Sequence, residues 1–174
     1  YYDEARKFAR VVTEKSMKSY GRENVIVTGG GPGGMEAGNR GAVDAGGASI
    51  ALNIVLPHEQ TPNVYCTPEL CFNFHYFATR KIHFLMRAKA VTAFPGGFGT
   101  LDELFETLTL IQTQRMKRIP VILFGEKFWR SIINWEALTE AGTIGVEDLE
   151  LFSFVETADQ AFAIINDWDA KYFN

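Results

Sequence analysis

The sequence is poor in features that mark special classes of protein. It holds two cysteines and six prolines in 174 residues. A chain of this length buries a core without staples, so Cys66 and Cys71 read as reduced thiols of a cytosolic protein. Long apolar runs are lacking too. The longest, VIVT and IALNIVLP, fall well short of the ~20 residues that span a bilayer, so no membrane association is expected. No basic stretch leads into an apolar segment at the start, so no secretory signal is expected and the expected location is the cytoplasm. Positive charge is scarce: 17 Lys and Arg face 21 Asp and Glu, a net charge of −4, with no Lys/Arg block. That balance argues against a nucleic-acid partner, whose affinity rests on neutralising several phosphates. With 47% hydrophobic and 22% charged residues, disorder and low-complexity structure are excluded.

What is present suits a single domain over residues 1–174. The chain opens Tyr1-Tyr2 without methionine, and the expectation is a trimmed start with an element missing ahead of it. Residues 3–20 place Ala5, Phe8, Ala9 and Val12 at helical spacing, and Gly21 stops the run. Val25-Ile26-Val27 is short and wholly apolar, as expected of a strand buried on both faces. A helix over 33–46 and a buried strand over 48–56 follow. Residues 57–70 hold three prolines and no period, the mark of a long loop. A short strand near 72–76 precedes a helix over 78–88 with Ile82, Leu85 and Met86 at core positions. Then come a strand at 90–94, a helix at 101–114, a strand at 119–124, a helix near 127–141 and a strand at 151–155. The closing helix, 157–169, aligns Ala158, Ala161, Phe162, Ile165 and Trp168. Apolar strands alternating with helices predict an α/β fold, a Rossmann-like doubly wound parallel sheet flanked by helices.

In such sheets ligands bind at the carboxyl ends of strands. Two strands here end in glycine-rich turns that open helices: Gly29-Gly30-Gly31-Pro32-Gly33-Gly34-Met35-Glu36 and Pro95-Gly96-Gly97-Phe98-Gly99-Thr100. Glycine lets the backbone turn sharply and approach a ligand, and the N–H groups of the following helix favour an anion. Two such turns point to a phosphate-bearing ligand. Gly29-x-Gly31-x-x-Gly34 matches the dinucleotide fingerprint, but the next strand ends Asn53-Ile54-Val55-Leu56 without the acidic residue that holds a ribose. Asp44 comes too early and Glu59 lies in the proline-rich loop, so a nicotinamide cofactor is disfavoured. Neither turn is followed by Lys-Ser or Lys-Thr, which excludes a Walker A loop.

Charged residues gather near the second turn. Arg80 and Lys81 open the helix at 78–88, where the helix dipole disfavours a cation by roughly 0.3–1 kcal/mol. The helix at 101–114 aligns Leu101, Leu104, Phe105, Leu108 and Ile111, with Asp102, Glu103 and Glu106 in its first two turns. Thr100-x-x-Glu103 has the form of a capping box, so spacing alone leaves capping and catalysis both open for Glu103. Cys66, Cys71, His75 and His83 form no Cys-x₂-Cys or His-x₃-His pair, and no metal is expected. Trp129, Trp135 and Trp168 lie on or near apolar helix faces and read as core or dimer contacts.

The run Pro95-Gly96-Gly97-Phe98-Gly99-Thr100-Leu101-Asp102-Glu103, preceded by Arg80-Lys81 and the Gly29–Gly31 triplet, resembles the PGGxGTxxE signature of the LONELY GUY family. That family is also labelled "possible lysine decarboxylase", and the likeness extends from about residue 21 to 141. It implies a homodimeric phosphoribohydrolase that cleaves a nucleoside 5′-monophosphate to free base and ribose 5-phosphate, with no cofactor. The base is a cytokinin in plants and some microbes, and several bacterial relatives act on AMP. The longer, more polar GGGPGGMEAGNRGA segment resembles a bacterial branch, and the family's first strand has no counterpart here.

By this resemblance Arg80 and Glu103 are the catalytic pair, and Gly96, Gly97, Gly99 and Thr100 hold the phosphate. Gly29, Gly30, Gly31, Gly34, Met35 and Lys81 join the substrate site, with Glu36 and Asn39 expected to touch base or ribose. Arg80 is expected to keep Glu103 ionised and to contact the nucleotide. Lysine decarboxylation would need pyridoxal phosphate, and Lys81 is the only lysine in a motif. The alternative from another class is a non-catalytic nucleotide-binding sensor or carrier using the same glycines.

Overall fold

The computed structural model describes residues 1–21, 23–56 and 61–172, which form two compact units, Tyr1–Arg87 and Ala88–Asn174. Glu59 and the start of the proline-rich loop, residues 57–60, lie outside the described residues.

The first unit runs α1 (Tyr2–Met17), β1 (Ile26–Thr28), α2 (Gly34–Asp44), β2 (Ser49–Ile54), β3 (Cys71–Phe74) and α3 (Phe77–Leu85). Its strands are parallel in the order β1-β2-β3, with Val27 opposite Ile50 and Leu52 opposite Phe72. The periodic residues Ala5, Phe8, Ala9 and Val12 of α1 are buried, joined by Thr13 and Ser16. Past its end, Gly21 turns left-handed (φ +70°) and donates its N–H to the Ser16 carbonyl at 2.9 Å, closing the helix terminus. α1 lies against α2, and the crossing is close. A Cβ on Gly41 would overlap the Arg6 carbonyl oxygen and sit 2.8 Å from the Ala9 Cβ. Arg6 then clasps Asp44 at the end of α2 with bonds of 2.5 and 2.9 Å, holding that carboxyl below its ordinary range.

Burial follows position in the sheet. Central β2 is almost wholly enclosed. β1 is the outer strand of the first unit's three-stranded sheet, and Val27 is 40% exposed, which corrects the expectation of a strand buried on both faces. α3 departs in a similar way. Of its expected core residues only Leu85 is buried, while Ile82 is 60% and Met86 56% exposed.

The second unit runs β4 (Val91–Ala93), α4 (Phe98–Gln112), β5 (Val121–Phe124), α5 (Glu126–Ile132), α6 (Trp135–Glu140), β6 (Phe152–Val155) and α7 (Ala158–Tyr172). The strands are parallel in the order β4-β5-β6, and all four residues of central β5 are buried. The core gathers Ala93, Leu104, Ile111, Val121, Leu123, Trp129 and Trp135. The Trp129 indole N–H donates to the Phe124 carbonyl at 2.9 Å, so the largest core side chain is polar-satisfied. Trp135 meets Phe152 at 4.4 Å between ring centroids. On α7, Ala158, Ala161 and Ile165 are buried, and Trp168 is half-buried against Tyr172.

Most element boundaries shift by a few residues, and two differ by more. The helix near 127–141 is two helices, because Ile133 turns extended and the Asn134 side chain accepts the Ala137 N–H at 3.0 Å, starting α6 afresh. α4 begins at Phe98 rather than 101; along it Leu104 and Ile111 are buried, Leu101 and Leu108 half-buried, and Phe105 is 40% exposed. The α/β architecture of parallel sheets flanked by helices holds in both units. Among the described residues no helix is long and apolar enough to cross a membrane.

Gly41→Ala tests the α1–α2 crossing. In an open helix the change would stabilise by about 1 kcal/mol. Here the new methyl meets backbone that cannot rotate away, and a net loss of ~1–3 kcal/mol is expected in urea unfolding.

Candidate active site

In the first unit β1 ends at Thr28 and the chain turns through five residues to the start of α2 at Gly34. Gly30 (φ +74°) and Gly33 (φ +68°) adopt left-handed backbone that explains glycine at both positions. The turn has two parts. Gly30 and Gly31 are buried at its root, whereas Pro32, Gly33, Gly34 and Met35 are exposed at its tip. A Cβ on Gly33 or Gly34 would meet no atom within 4 Å, so the backbone there faces open space. At Gly29 a Cβ would lie 2.8 Å from Met35 Sδ and 3.8 Å from an Arg80 guanidinium nitrogen. Gly29, Met35 and Arg80 are thus brought together. The Arg80 guanidinium also lies over the rings of Phe77 (5.1 Å) and Phe84 (5.5 Å) from its own helix, which orient it. Lys81, the next residue on α3, is half-buried.

Glu36 and Asn39 have other partners. A Glu36 carboxylate oxygen accepts the Tyr2 hydroxyl at 2.7 Å, tying the first turn of α2 to α1. Arg40 donates to the same Tyr2 oxygen at 3.5 Å and lies over the Tyr65 ring. Asn39 is fully buried. Its Oδ1 accepts the Thr28 hydroxyl at 2.7 Å and the Asn63 amide at 3.0 Å, and its Nδ2 donates to Ser49 Oγ at 2.8 Å. The expected contact of Asn39 with base or ribose is corrected: both lone pairs of its oxygen are taken and the side chain is enclosed. Asn63 and Thr28, which shape this turn, escaped the sequence reading, because their bonds join positions 11 to 33 residues apart and leave no periodic trace. Cys66 borders the buried root, and burial together with nearby Cys71 pushes its thiol up.

In the second unit the run Pro95–Glu103 leaves β4, bends at Gly96 and Gly97, and enters α4 at Phe98 with Gly97 as its N-cap. No side chain caps this terminus. The capping-box reading of Thr100 and Glu103 is therefore corrected, since Thr100 already lies inside the helix. Its side chain instead packs on Gly96, where any Cβ would collide with Thr100 Oγ1. Gly97 and Gly99 face open space. No side chain takes the first-turn N–H groups of α4, and the helix dipole makes such a terminus electropositive. Glu103 follows within the second turn, half-buried, with one carboxylate oxygen shielded from water. Among the described residues no group of His, Cys, Asp or Glu is placed to hold a metal.

The family model described as "Possible lysine decarboxylase" matches residues 35–165. The chain belongs to this family, the LONELY GUY family. Within it, a bifunctional cytokinin biosynthesis protein of Fusarium pseudograminearum is 35% identical over 65 residues, 37% of this chain and 13% of that protein. The aligned part is thus a small fraction of the fungal protein's length. Among solved structures, the molybdenum cofactor carrier protein of Chlamydomonas reinhardtii superposes with a TM-score of 0.66 at 20% identity, covering 97% of this chain and 88% of that one. The molybdenum cofactor binding protein of Rippkaea orientalis gives 0.68 at 18% identity, covering 96% and 86%. These likenesses establish the fold.

Asn39→Ala in this LONELY GUY chain strips Thr28, Ser49 and Asn63 of a shared partner inside the protein. A loss of about 2–3 kcal/mol is expected in chemical unfolding, whereas Val43→Ala on the exposed face of the same helix stays within ~0.5 kcal/mol.

Proposed function

We propose that the chain is a phosphoribohydrolase that cleaves the N-glycosidic bond of a nucleoside 5′-monophosphate, either AMP or a cytokinin riboside monophosphate, releasing free base and ribose 5-phosphate. The observation that carries this reading is the Pro95–Glu103 run: an uncapped helix terminus opening on glycines, followed by a carboxylate with one oxygen out of water. Family membership and the cytokinin-related fungal relative support it.

Breaking a ribosyl C1′–N bond builds positive charge on the sugar. In this reading Glu103 faces that charge and orients or deprotonates the attacking water. The amides at Gly96, Gly97, Gly99 and Thr100 hold the 5′-phosphate and supply position rather than chemistry. In the first unit Arg80, which stands beside Gly29 and Met35, is the proposed cationic substrate contact, with Lys81 next to it in sequence. A homodimer belongs to the same proposal. α3 leaves Phe77, Ile82 and Met86 exposed, an apolar surface that a second copy would cover.

The family's printed description names a different reaction. Lysine decarboxylation requires pyridoxal phosphate on a lysine with a partner for the ring nitrogen. Lys81, the only lysine in a motif, stands between Arg80 and Ile82 on α3, and no step is derived through that cofactor.

Incubating the chain with a panel of nucleoside 5′-monophosphates and separating free base by chromatography tests the proposal. Release of base supports it; binding without release gives the chain to the carrier class instead. Glu103→Gln is expected to keep the fold and lower kcat by about 100-fold, near 3 kcal/mol of barrier. A Gln variant that turns over at the parent rate ends the assignment of Glu103.

A further inference from the structure

We infer that Asn63 is a positioning residue: its side-chain amide fixes the root of the Gly29–Gly34 turn in the shape that binds the nucleotide. The kinetic part of this inference rests on the hydrolase reading above; the conformational part does not.

Asn63 makes an unusual number of bonds for a residue in an irregular segment. Its main-chain N–H donates to the Gly30 carbonyl at 2.8 Å. Its Nδ2 lies 3.1 Å from the Gly30 carbonyl, 3.1 Å from the Gly31 carbonyl and 3.0 Å from Asn39 Oδ1. Its Oδ1 accepts the Tyr65 N–H at 3.1 Å, which fixes the orientation of the amide. The two hydrogens of Nδ2 are thus shared among three oxygens, so the group works purely as a donor hub. From the other side, Thr28 Oγ1 accepts the Gly30 N–H at 3.0 Å and donates to Asn39. The root of the turn is held by one connected network, and all its members lie in the first unit.

This arrangement has a physical reason. Glycines that free the backbone to approach a ligand also let it sample many shapes, and ordering them on binding costs affinity. Tying the carbonyls of Gly30 and Gly31 inward commits the peptide planes at the root before a ligand arrives. The tip, Gly33 and Gly34, stays open. Pre-organisation of this kind acts on ground state and transition state alike, so it appears in KM more than in kcat.

Asn63→Asp is the discriminating variant in the full chain. It keeps the size and the acceptor for Tyr65 but turns the shared donor into an oxygen facing three oxygens. Two readouts are taken. In the ligand-free protein, amide hydrogen exchange at Gly30 and Gly31 is expected to quicken by about tenfold or more, while β5 amides exchange as before. With AMP as the probe, KM is expected to rise by about tenfold and kcat to change by less than about threefold. Thr28→Val, which removes only the hydroxyl, carries the same two measurements with a smaller shift in each, and decides the matter should the Asp variant lose its fold. Wild-type exchange at these glycines overturns the inference. So does faster exchange with an unchanged KM, which would leave Asn63 a purely structural bond. If the parent chain neither binds nor cleaves AMP or any other nucleoside 5′-monophosphate, the hydrolase reading fails by itself, and the exchange result alone decides whether Asn63 sets the turn.

Discussion

The enclosed amide of Asn39 is the interaction on which the first unit turns. It reaches strand β1 through Thr28, strand β2 through Ser49 and the proline-rich loop through Asn63, while it is itself carried on α2. A polar side chain in that place is costly unless every atom is partnered, and here each is. Hydrophobic contacts would fill the same volume without fixing direction. The hydrogen-bonded version specifies which way the chain leaves β1, and with it the place of a glycine turn whose own residues have few conformational constraints.

The fold was legible wherever burial and periodicity coincide. α1 shows its helical period because one face packs on α2 and the other meets water, and β5 shows its unbroken apolar run because it is the middle strand of its sheet. The misreadings come from features that composition does not encode. Val25-Ile26-Val27 has the letters of a fully buried strand, yet Val25 and Val27 are exposed, since what covers the faces of a strand is chosen far away in sequence. The break between α5 and α6 depends on one extended residue, Ile133, and on a cap from Asn134 within an otherwise helical pattern. Ile82 and Met86 carry the period of a packed helix while α3 buries only Leu85, because the spacing of apolar residues does not say how many of them a neighbouring element covers.

The site was legible to a different extent in each unit. The Pro95–Glu103 run could be read because its glycines, helix start and carboxylate are contiguous. Even there Thr100 was misread, because a capping box and a first-turn threonine share the same spacing and only the true helix start separates them. In the first unit the glycine letters announced a turn but not its supports. Glu36 and Asn39 looked available to a ligand because polar residues at a turn usually face outward. The first is engaged by Tyr2 from α1 and the second is sealed inside.

These supports bear on how a carrier and a hydrolase can share one scaffold. Glycine bends at strand ends with free helix N–H groups bind a phosphate equally well in either role, because holding an anion requires position and partial charge only. Turnover adds a demand that holding does not: a carboxylate must keep its charge near the sugar and away from bulk water, where its field would be screened. Glu103 meets the second half of that demand, with one oxygen withdrawn from solvent on a helix whose start is otherwise open. An acid within two turns of a helix start is favoured by the helix dipole in either role, so it is the shielding of its oxygen, and not its place in the helix, that bears on turnover. The two functions part at that carboxylate, because holding an anion does not require one and hydrolysis of a ribosyl bond does.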